Sequence, residues 1–422
     1  MKLILVNYRY FVSGGPERYL FNIKSLLEEN GQVVIPFSVK HPKNVHSEFS
    51  NFFLSSIASN SSEIYFKDIR KDPLTVVKLI DRAFYSIEAR IKIENLIKKT
   101  NPDVAYLLHF LRWISPSIID SFKKFGIPVI TRVSDFSYIC PEGHLLRNGT
   151  ICELCTTGNY WYSVKYRCVQ NSSIISLINL LSIILHKMMG IFDKIDAIVC
   201  PSRFTLEKLK ESGFIESKLF HIPTFVKIHD YIPNYNIGDY ILYFGRFSKE
   251  KGVDVLINAF IKLKSKQKFN SLKLILVGYS YEREFNEIRD RIYFEKIKDI
   301  KVLGGLKDEE LKQVIRNSIF TIVPSIWYDN FPNSVLESYA SGKPVIASDI
   351  GSFPEVVDNN ITGLLFKAGD SDDLADKIEY LLDNRDKIIE MGMNARKKAE
   401  IEYAPQRHYD LLMNLFTKLK AK

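Results

Sequence analysis

Twice along this chain an apolar run that reads as a buried strand breaks into a glycine-bearing turn and then into a helical pattern. The first copy is Lys2 to Tyr8, the turn Ser13-Gly14-Gly15-Pro16-Glu17, and a helix from Arg18 to Asn30 closed by Gly31. The second is Tyr240 to Phe244, a loop over Gly245 to Glu250, and a helix from Lys251 to Lys264. Behind the first copy come strands at Val33 to Phe37, Val104 to Leu108, Val129 to Thr131 and Ala197 to Cys200, with a helix over Val76 to Lys99. Behind the second come strands at Leu272 to Val277, Lys301 to Leu303, Ile319 to Pro324 and Pro344 to Ala347, with a helix over Asn333 to Ser341. Parallel strands need long crossovers, so this alternation predicts two α/β units, each a parallel sheet covered by helices on both faces. The Pro- and Asn-bearing stretch His221 to Gly238 separates them, dividing the chain into 1–228 and 229–404, with a last helix over 405–422 placed to cross back onto the first unit. A ligand is expected in the cleft between the units, beyond the carboxyl ends of the strands.

At 422 residues and 46% hydrophobic composition, two folded domains are the default and a disordered chain is excluded. The net charge of +9 is one-sided: 1–228 carries 29 Lys and Arg against 20 Asp and Glu, whereas the remainder carries 29 of each. Such an imbalance suits an anionic partner that touches only the first half: nucleic acid, a membrane surface or a phosphorylated acceptor. Met1 to Tyr10 lacks the pattern of a signal peptide, and five cysteines without one point to a reducing, cytoplasmic setting. The longest apolar stretch, Ile174 to Leu185, is interrupted by Ser176, Asn179 and Ser182. It is too short to span a bilayer and reads as a buried helix.

The loop Gly245-Arg246-Phe247-Ser248-Lys249-Glu250-Lys251-Gly252 lies between a strand and a helix. A glycine there lets the backbone approach a ligand, while the Arg246 fork and the Lys251 point charge suit the two phosphates of a nucleoside diphosphate. Downstream, Pro324 to Glu337 reads as a strand end, a polar loop and a new helix, whose free N–H groups at Asn333, Ser334, Val335 and Leu336 form an anion site. Glu337, one turn in, is placed to accept hydrogen bonds from ribose hydroxyls, and Asp329 to reach a sugar hydroxyl. Neither glycine turn reads G-x-G-x-x-G, which argues against a nicotinamide oxidoreductase.

With Gly14-Gly15 and Glu17, Cys200-Pro201-Ser202-Arg203-Phe204-Thr205, Gly245-Arg246 with Lys251-Gly252, the acidic pair Asp329 and Glu337, and Ser341-Gly342-Lys343-Pro344 all in order, the chain resembles the retaining glycosyltransferases of family 4. The resemblance implies the GT-B fold, two Rossmann-like domains facing across a cleft. It also implies transfer of a hexosyl group from a UDP or GDP sugar with retention of configuration. Arg246 and Lys251 would neutralise the leaving diphosphate, Glu337 would hold the ribose, and Asp329 would contact the donor sugar. Gly14 and Gly15 would lie near the diphosphate and the acceptor. No catalytic cofactor is expected, since cations and a helix end already face the leaving group. The family usually has Glu where this chain has Asp329; one methylene shorter, that carboxylate sits nearer the backbone or reaches the sugar through water.

Relatives of that kind carry His-x-His-Asn after one strand and His-Asp after the next. Here the stretches are Tyr106-Leu107-Leu108-His109 and Ser134-Asp135, so His109 and Asp135 are the acceptor-side candidates and Ser134 replaces a histidine. Base recognition is expected near Gly278-Tyr279-Ser280 and Val302 to Gly304. Cys140, Cys152, Cys155 and Cys168 form C-x11-C-x2-C-x12-C, four thiols that suit a structural zinc; free thiols are the other reading and disulfides the least favoured. A subset of the resembling glycosyltransferases looks similar in this cysteine cluster.

The function these features favour is transfer of a sugar to a lipid-linked or growing polysaccharide acceptor in cell-surface glycan synthesis. The competing readings are a nucleotide-sugar epimerase and a zinc-stabilised nucleic-acid-binding protein. The latter lacks a basic helix or a basic-aromatic stripe, so nucleic acid is not an expected partner. The donor site falls in the half whose charge is balanced. The basic excess is therefore assigned to a lipid-pyrophosphate acceptor or an anionic membrane surface, with the protein peripheral on the inner face of the membrane.

Overall fold

Strand β1 (Lys2–Asn7) is buried at every position but its first, because helices cover both faces of the sheet to which it belongs. The computed structural model describes residues 1–56, 73–278, 282–295 and 297–421. In the first half β1 is followed by β2 (Val33–Phe37), β3 (Val104–His109), β4 (Val129–Arg132), the small antiparallel hairpin β5 (Leu146–Arg147) and β6 (Thr150–Ile151), β7 (Ala197–Cys200) and β8 (Leu219–His221). Apart from the hairpin these pair in parallel in the order β2-β1-β3-β4-β7-β8. The second half has β9 (Tyr240–Phe244), β10 (Lys273–Val277), β11 (Ile300–Leu303), β12 (Thr321–Val323), β13 (Val345–Ser348) and β14 (Gly363–Phe366), all parallel in the order β11-β10-β9-β12-β13-β14. In each sheet the order reverses beside the first strand, and the crevice at such a reversal is where α/β sheets take ligands.

The expected helix over Val76 to Lys99 is two, Pro73–Phe84 and Ile87–Thr100. The second begins afresh because Ser86 caps it, its Oγ accepting from Ala89 N at 3.2 Å. The stretch expected as a buried helix at Ile174 to Leu185 is helical over Ser173–Met188, but its buried positions are Ser176, Leu180, Ser182 and His186, and many of its apolar side chains face outward.

The last helix, Pro405–Lys420, lies against the first sheet, where Leu412, Leu415 and Phe416 join Leu3, Tyr19 and Tyr106 in one core cluster. Burying a side chain such as Phe416 contributes about 1.5–3 kcal/mol. His408 fixes the helix: Nε2 is bonded to Tyr19 Oη at 3.0 Å and Nδ1 to Pro223 O at 2.7 Å. Val226 N, on the outgoing linker, donates to Tyr403 O on the returning segment at 3.1 Å. The chain thus passes between the halves twice at nearly one place.

Candidate active site

The loop after β9 and the loop after β12 are stitched together before any side chain contributes. Ile326 N donates to Glu250 O at 2.9 Å. Gly252 has φ +68°, and a Cβ there would lie 1.9 Å from Pro324 O, so this glycine admits the neighbouring loop rather than a ligand. That close approach brings Lys251 onto Asp329, its Nζ donating to the two carboxylate oxygens at 2.7 and 2.9 Å. At 22% and 13% side-chain exposure the pair is largely shielded, and Lys251 Nζ also stands 5.3 Å from the centre of the Trp327 ring. Arg246 reaches Glu250 at 2.5 Å and is half exposed toward the cleft.

Helix Asn333–Ala340 starts after Pro332 with no side chain capping it. Asn333 is its first residue and not its cap; of the four N–H groups expected free, that of Val335 is bonded to Pro332 O at 3.0 Å, and no side-chain cap serves this end. From the other half the Gly14-Gly15 turn approaches this point; a Cβ at Gly15 would lie 3.1 Å from Asn333 Nδ2. Glu17, buried at the start of its helix, accepts from Ser13 Oγ at 2.9 Å and braces the turn.

Glu337 is met across the cleft by Arg18, Nη1 to Oε1 at 3.4 Å, while Arg18 Nη2 reaches Asp308 at 3.3 Å. Burial raises the Glu337 pKa, and the Arg18 charge offsets this only in part. Arg18, Asn333, Glu337, Asp308, Tyr231 and Lys312 line a cavity of about 240 Å³ between the halves. A larger recess of about 480 Å³, between Pro102 and Lys420, lies elsewhere on the first half and contains none of these residues.

On the first half, His109 Nε2 and Asp135 Oδ2 are 3.1 Å apart. Burial alone would raise the Asp135 pKa, but His109, Arg112 and the bond from Ser137 hold it well below the usual carboxylate range. His109 Nδ1 is buried without a protein partner, as are Trp327 Nε1 and Asn330 Oδ1 in the facing loop. Such orphaned polar atoms around one cleft are what a site built for a polar ligand leaves behind. Ser134, which stands where the resembling family carries a histidine, donates to Leu108 O at 3.1 Å and ties the loop after β4 to β3.

Two side chains escaped the sequence reading. Arg18 is one; its signal was a basic residue one position beyond Glu17, in the first turn of a helix opened by Gly-Gly. His144 is the other. Gly143 has φ +92°, and a Cβ there would lie 2.8 Å from Ser137 Oγ and 3.8 Å from Asp135 Cγ, so only glycine lets the loop seat beside Asp135. This sets the His144 ring 5.2 Å from that of Trp327 across the cleft, with Nδ1 bonded to Glu142 Oε2 at 2.5 Å. Burial would lower the His144 pKa, but Glu142 outweighs it and the net shift is upward.

The four cysteines share this loop but do not make the zinc site expected of them. Cys140 packs in the main core of the first half, whereas Cys155 packs with Tyr160 and Leu180 in a separate small cluster. Among the described residues no three His, Cys, Asp or Glu side chains converge on a point that could hold a metal ion. All the cysteines are free, and burial, aided by the neighbouring Cys140, Cys168 and Cys152, pushes the Cys155 thiol up to about 12. Of the expected base-recognition stretch, Gly278 and Val302 to Gly304 are described; Tyr279 and Ser280 lie outside the described residues.

Residues 229–398 match the family described as glycosyl transferases group 1. Over that span the second half is similar to that family. The group 1 segment contains Arg246, Lys251, Asp329, Asn333 and Glu337, whereas Gly15, Arg18, His109, Asp135 and His144 lie before it. An uncharacterized glycosyltransferase of Methanocaldococcus jannaschii is 30% identical over 204 residues, 48% of this chain and 54% of that protein. A phosphatidyl-myo-inositol mannosyltransferase of Mycobacterium leprae is 28% identical over 166 residues, 38% and 43% of the two chains. The chain thus spans about half the length of these curated relatives. A sucrose-phosphate synthase of Thermosynechococcus elongatus superposes over 100% of this chain and 99% of its own at TM-score 0.72 and 18% identity. Anabaena HepE in complex with UDP and glucose does so over 99% and 100% at TM-score 0.64 and 15% identity. These likenesses establish the fold: two Rossmann-like parallel sheets facing across a cleft, the GT-B arrangement.

Proposed function

We propose that this protein is a retaining hexosyltransferase that moves a sugar from a nucleoside diphosphate to a glycan or lipid-pyrophosphate-linked acceptor. The observation that carries the reading is that Lys251 and Asp329 pair in the loop that runs into the start of helix Asn333–Ala340, whose first residue, Asn333, is met from the other half by Gly15. Charge grows on the departing phosphate oxygen as the glycosidic bond lengthens. Fixed N–H groups and Lys251 bind that charge more tightly in the transition state than in the bound donor, and only such a difference accelerates the chemical step. Arg246 neutralises the outer phosphate, and Glu337 takes the ribose hydroxyls once the nucleotide enters beside Arg18. Asp329, held by Lys251, faces the sugar. The acceptor enters from the first half past Asp135, His109 and the Glu142–His144 pair, a half whose basic excess suits a pyrophosphate on an anionic membrane surface.

A thermal-shift series with UDP, GDP, ADP, NAD and an oligonucleotide tests this. A nucleoside diphosphate near a hundred times its Kd is expected to add about 2.7 kcal/mol of stability. Stabilisation by NAD would favour the epimerase or oxidoreductase class and by the oligonucleotide a nucleic-acid-binding protein; either result overturns the reading. UDP is the first probe because HepE is solved with it. On the acceptor side, Asp135→Asn is expected to lower kcat about a hundredfold while the Kd for UDP is unchanged in calorimetry. Unaltered kinetics would remove Asp135 from the mechanism.

A further inference from the structure

Helix Ser173–Met188 has its polarity reversed. Ile174, Leu177, Leu181, Ile184 and Met188 recur at alternating steps of three and four, hence on one face, and all five are exposed, Ile174 at 72% and Met188 at 81%. The opposite face, turned into the protein, holds Ser176, Ser182 and His186 with Leu180. These inward polar groups are satisfied locally: Ser176 Oγ accepts from Val169 N at 3.1 Å, Ser182 Oγ donates to Asn179 O at 2.8 Å, and His186 Nε2 is bonded to Phe84 O at 2.7 Å. Phe84 ends helix Pro73–Phe84, which packs alongside and repeats the inversion. Leu74 and Val77 point outward, while Thr75 and Arg82 are buried, Arg82 donating to Ser55 O at 2.6 Å. The short helix Trp161–Lys165 packs on the same helix and leaves Trp161 58% exposed. Contiguous apolar surface of this kind is rare on a soluble monomer unless something covers it.

The charge around the patch says what covers it. From Trp161 to Met188 there is no Asp or Glu, whereas Lys165, Arg167 and Lys187 are exposed, and Lys78 is exposed on the neighbouring helix. A second copy of this chain would bring those like charges together; anionic headgroups would receive them. An apolar stripe with a tryptophan beside it and basic residues at its margin is the composition of a helix lying in a headgroup layer. At 16 residues, about 24 Å, the helix lies flat rather than across, and among the described residues no helix is long and apolar enough to cross a membrane.

We propose that the outward face of helices Ser173–Met188 and Pro73–Phe84 docks this protein on an anionic lipid bilayer. The apolar stripe enters the headgroup boundary, and Lys78, Lys165, Arg167 and Lys187 meet the lipid phosphates. This placement goes beyond the donor chemistry and stands or falls separately from it.

The test is flotation of the full chain with phosphatidylcholine vesicles, with and without phosphatidylglycerol, alongside sedimentation velocity without lipid. The protein is expected to float only with the anionic vesicles and to release as salt is raised. The variant Ile174→Glu/Leu181→Glu should lose binding at least about tenfold, and the milder Ile174→Ser/Met188→Ser, at two highly exposed positions, should weaken it. Both should keep the UDP-induced thermal shift of the parent, which separates loss of docking from loss of fold or donor site. Equal binding to both vesicle types, no binding at all, or full binding by the Glu variant would overturn the proposal. So would a dimer in the absence of lipid that the Glu variant dissociates, which would give the face to a second copy.

Discussion

Lys251→Ala is expected to lower kcat for sugar transfer by about a hundred- to a thousandfold, the usual consequence of removing one preplaced group that binds charge developing in the transition state. The geometry makes a second demand. Lys251 Nζ is bonded to both oxygens of Asp329, and Asp329 is only 13% exposed, so the single variant leaves a shielded carboxylate without its partner. That costs about 1–3 kcal/mol of stability. The double variant Lys251→Ala/Asp329→Ala removes both ends of the pair and should recover much of that stability while remaining inactive. Melting curves read beside initial rates decide the matter: inactivity with recovered stability assigns the Lys251–Asp329 pair to the reaction rather than to the fold. An active double variant would reduce the pair to a loop brace.

Glu337 gives the second large effect. If it holds the ribose, Glu337→Ala should raise the Kd for UDP about ten- to a hundredfold, the worth of a hydrogen bond to a charged group. Glu337→Gln separates binding from folding. Burial raises the Glu337 pKa above its ordinary 4.5, so between that value and the raised one the folded state holds more protons than the unfolded state. Stability contributed by protonated Glu337 is therefore full below 4.5 and lost as pH rises through the raised pKa. Glutamine, which has no proton to lose, should melt above the parent at pH 8, with the difference shrinking toward pH 4. A constant difference across that range would mean that Arg18 alone sets the state of this carboxylate. The same variant should still bind UDP less tightly than the parent.

Much of this was legible in one dimension. β2, β7 and β9 begin and end where their apolar runs do, because a strand covered on both faces has no polar position inside it to blur its limits. Lys251, Asp329 and Glu337 could be picked out because each belongs to a loop that runs into a helix or to that helix's first turns. The Lys251–Asp329 bond could not, since 78 residues separate the two and only the seating of Gly252 under Pro324 O joins the loops. Arg18 and His144 were hidden for the same reason: each matters through what the other half brings opposite it. The helix Ser173–Met188 failed differently. Its spacing defines a face, but spacing does not say whether that face turns toward the core or away. The zinc expectation counted residues along a loop: the four thiols do stand near one another, but among the described residues no three of them converge on a point that could hold a metal ion.

The paired crossings at Val226 and Tyr403 limit how the two halves can move. One linker would let a half swing and twist like a weight on a cord; two, tied by the Val226 N to Tyr403 O bond, act as a door on a pin. Opening is then reduced to a single angle. Arg18 meets Glu337 and His144 meets Trp327 across the cleft, so the same angle sets both contacts together, the proposed nucleotide end and the proposed sugar end. On the proposed function, a nucleotide that parts Arg18 from Glu337 also changes the width of the gap through which the acceptor enters.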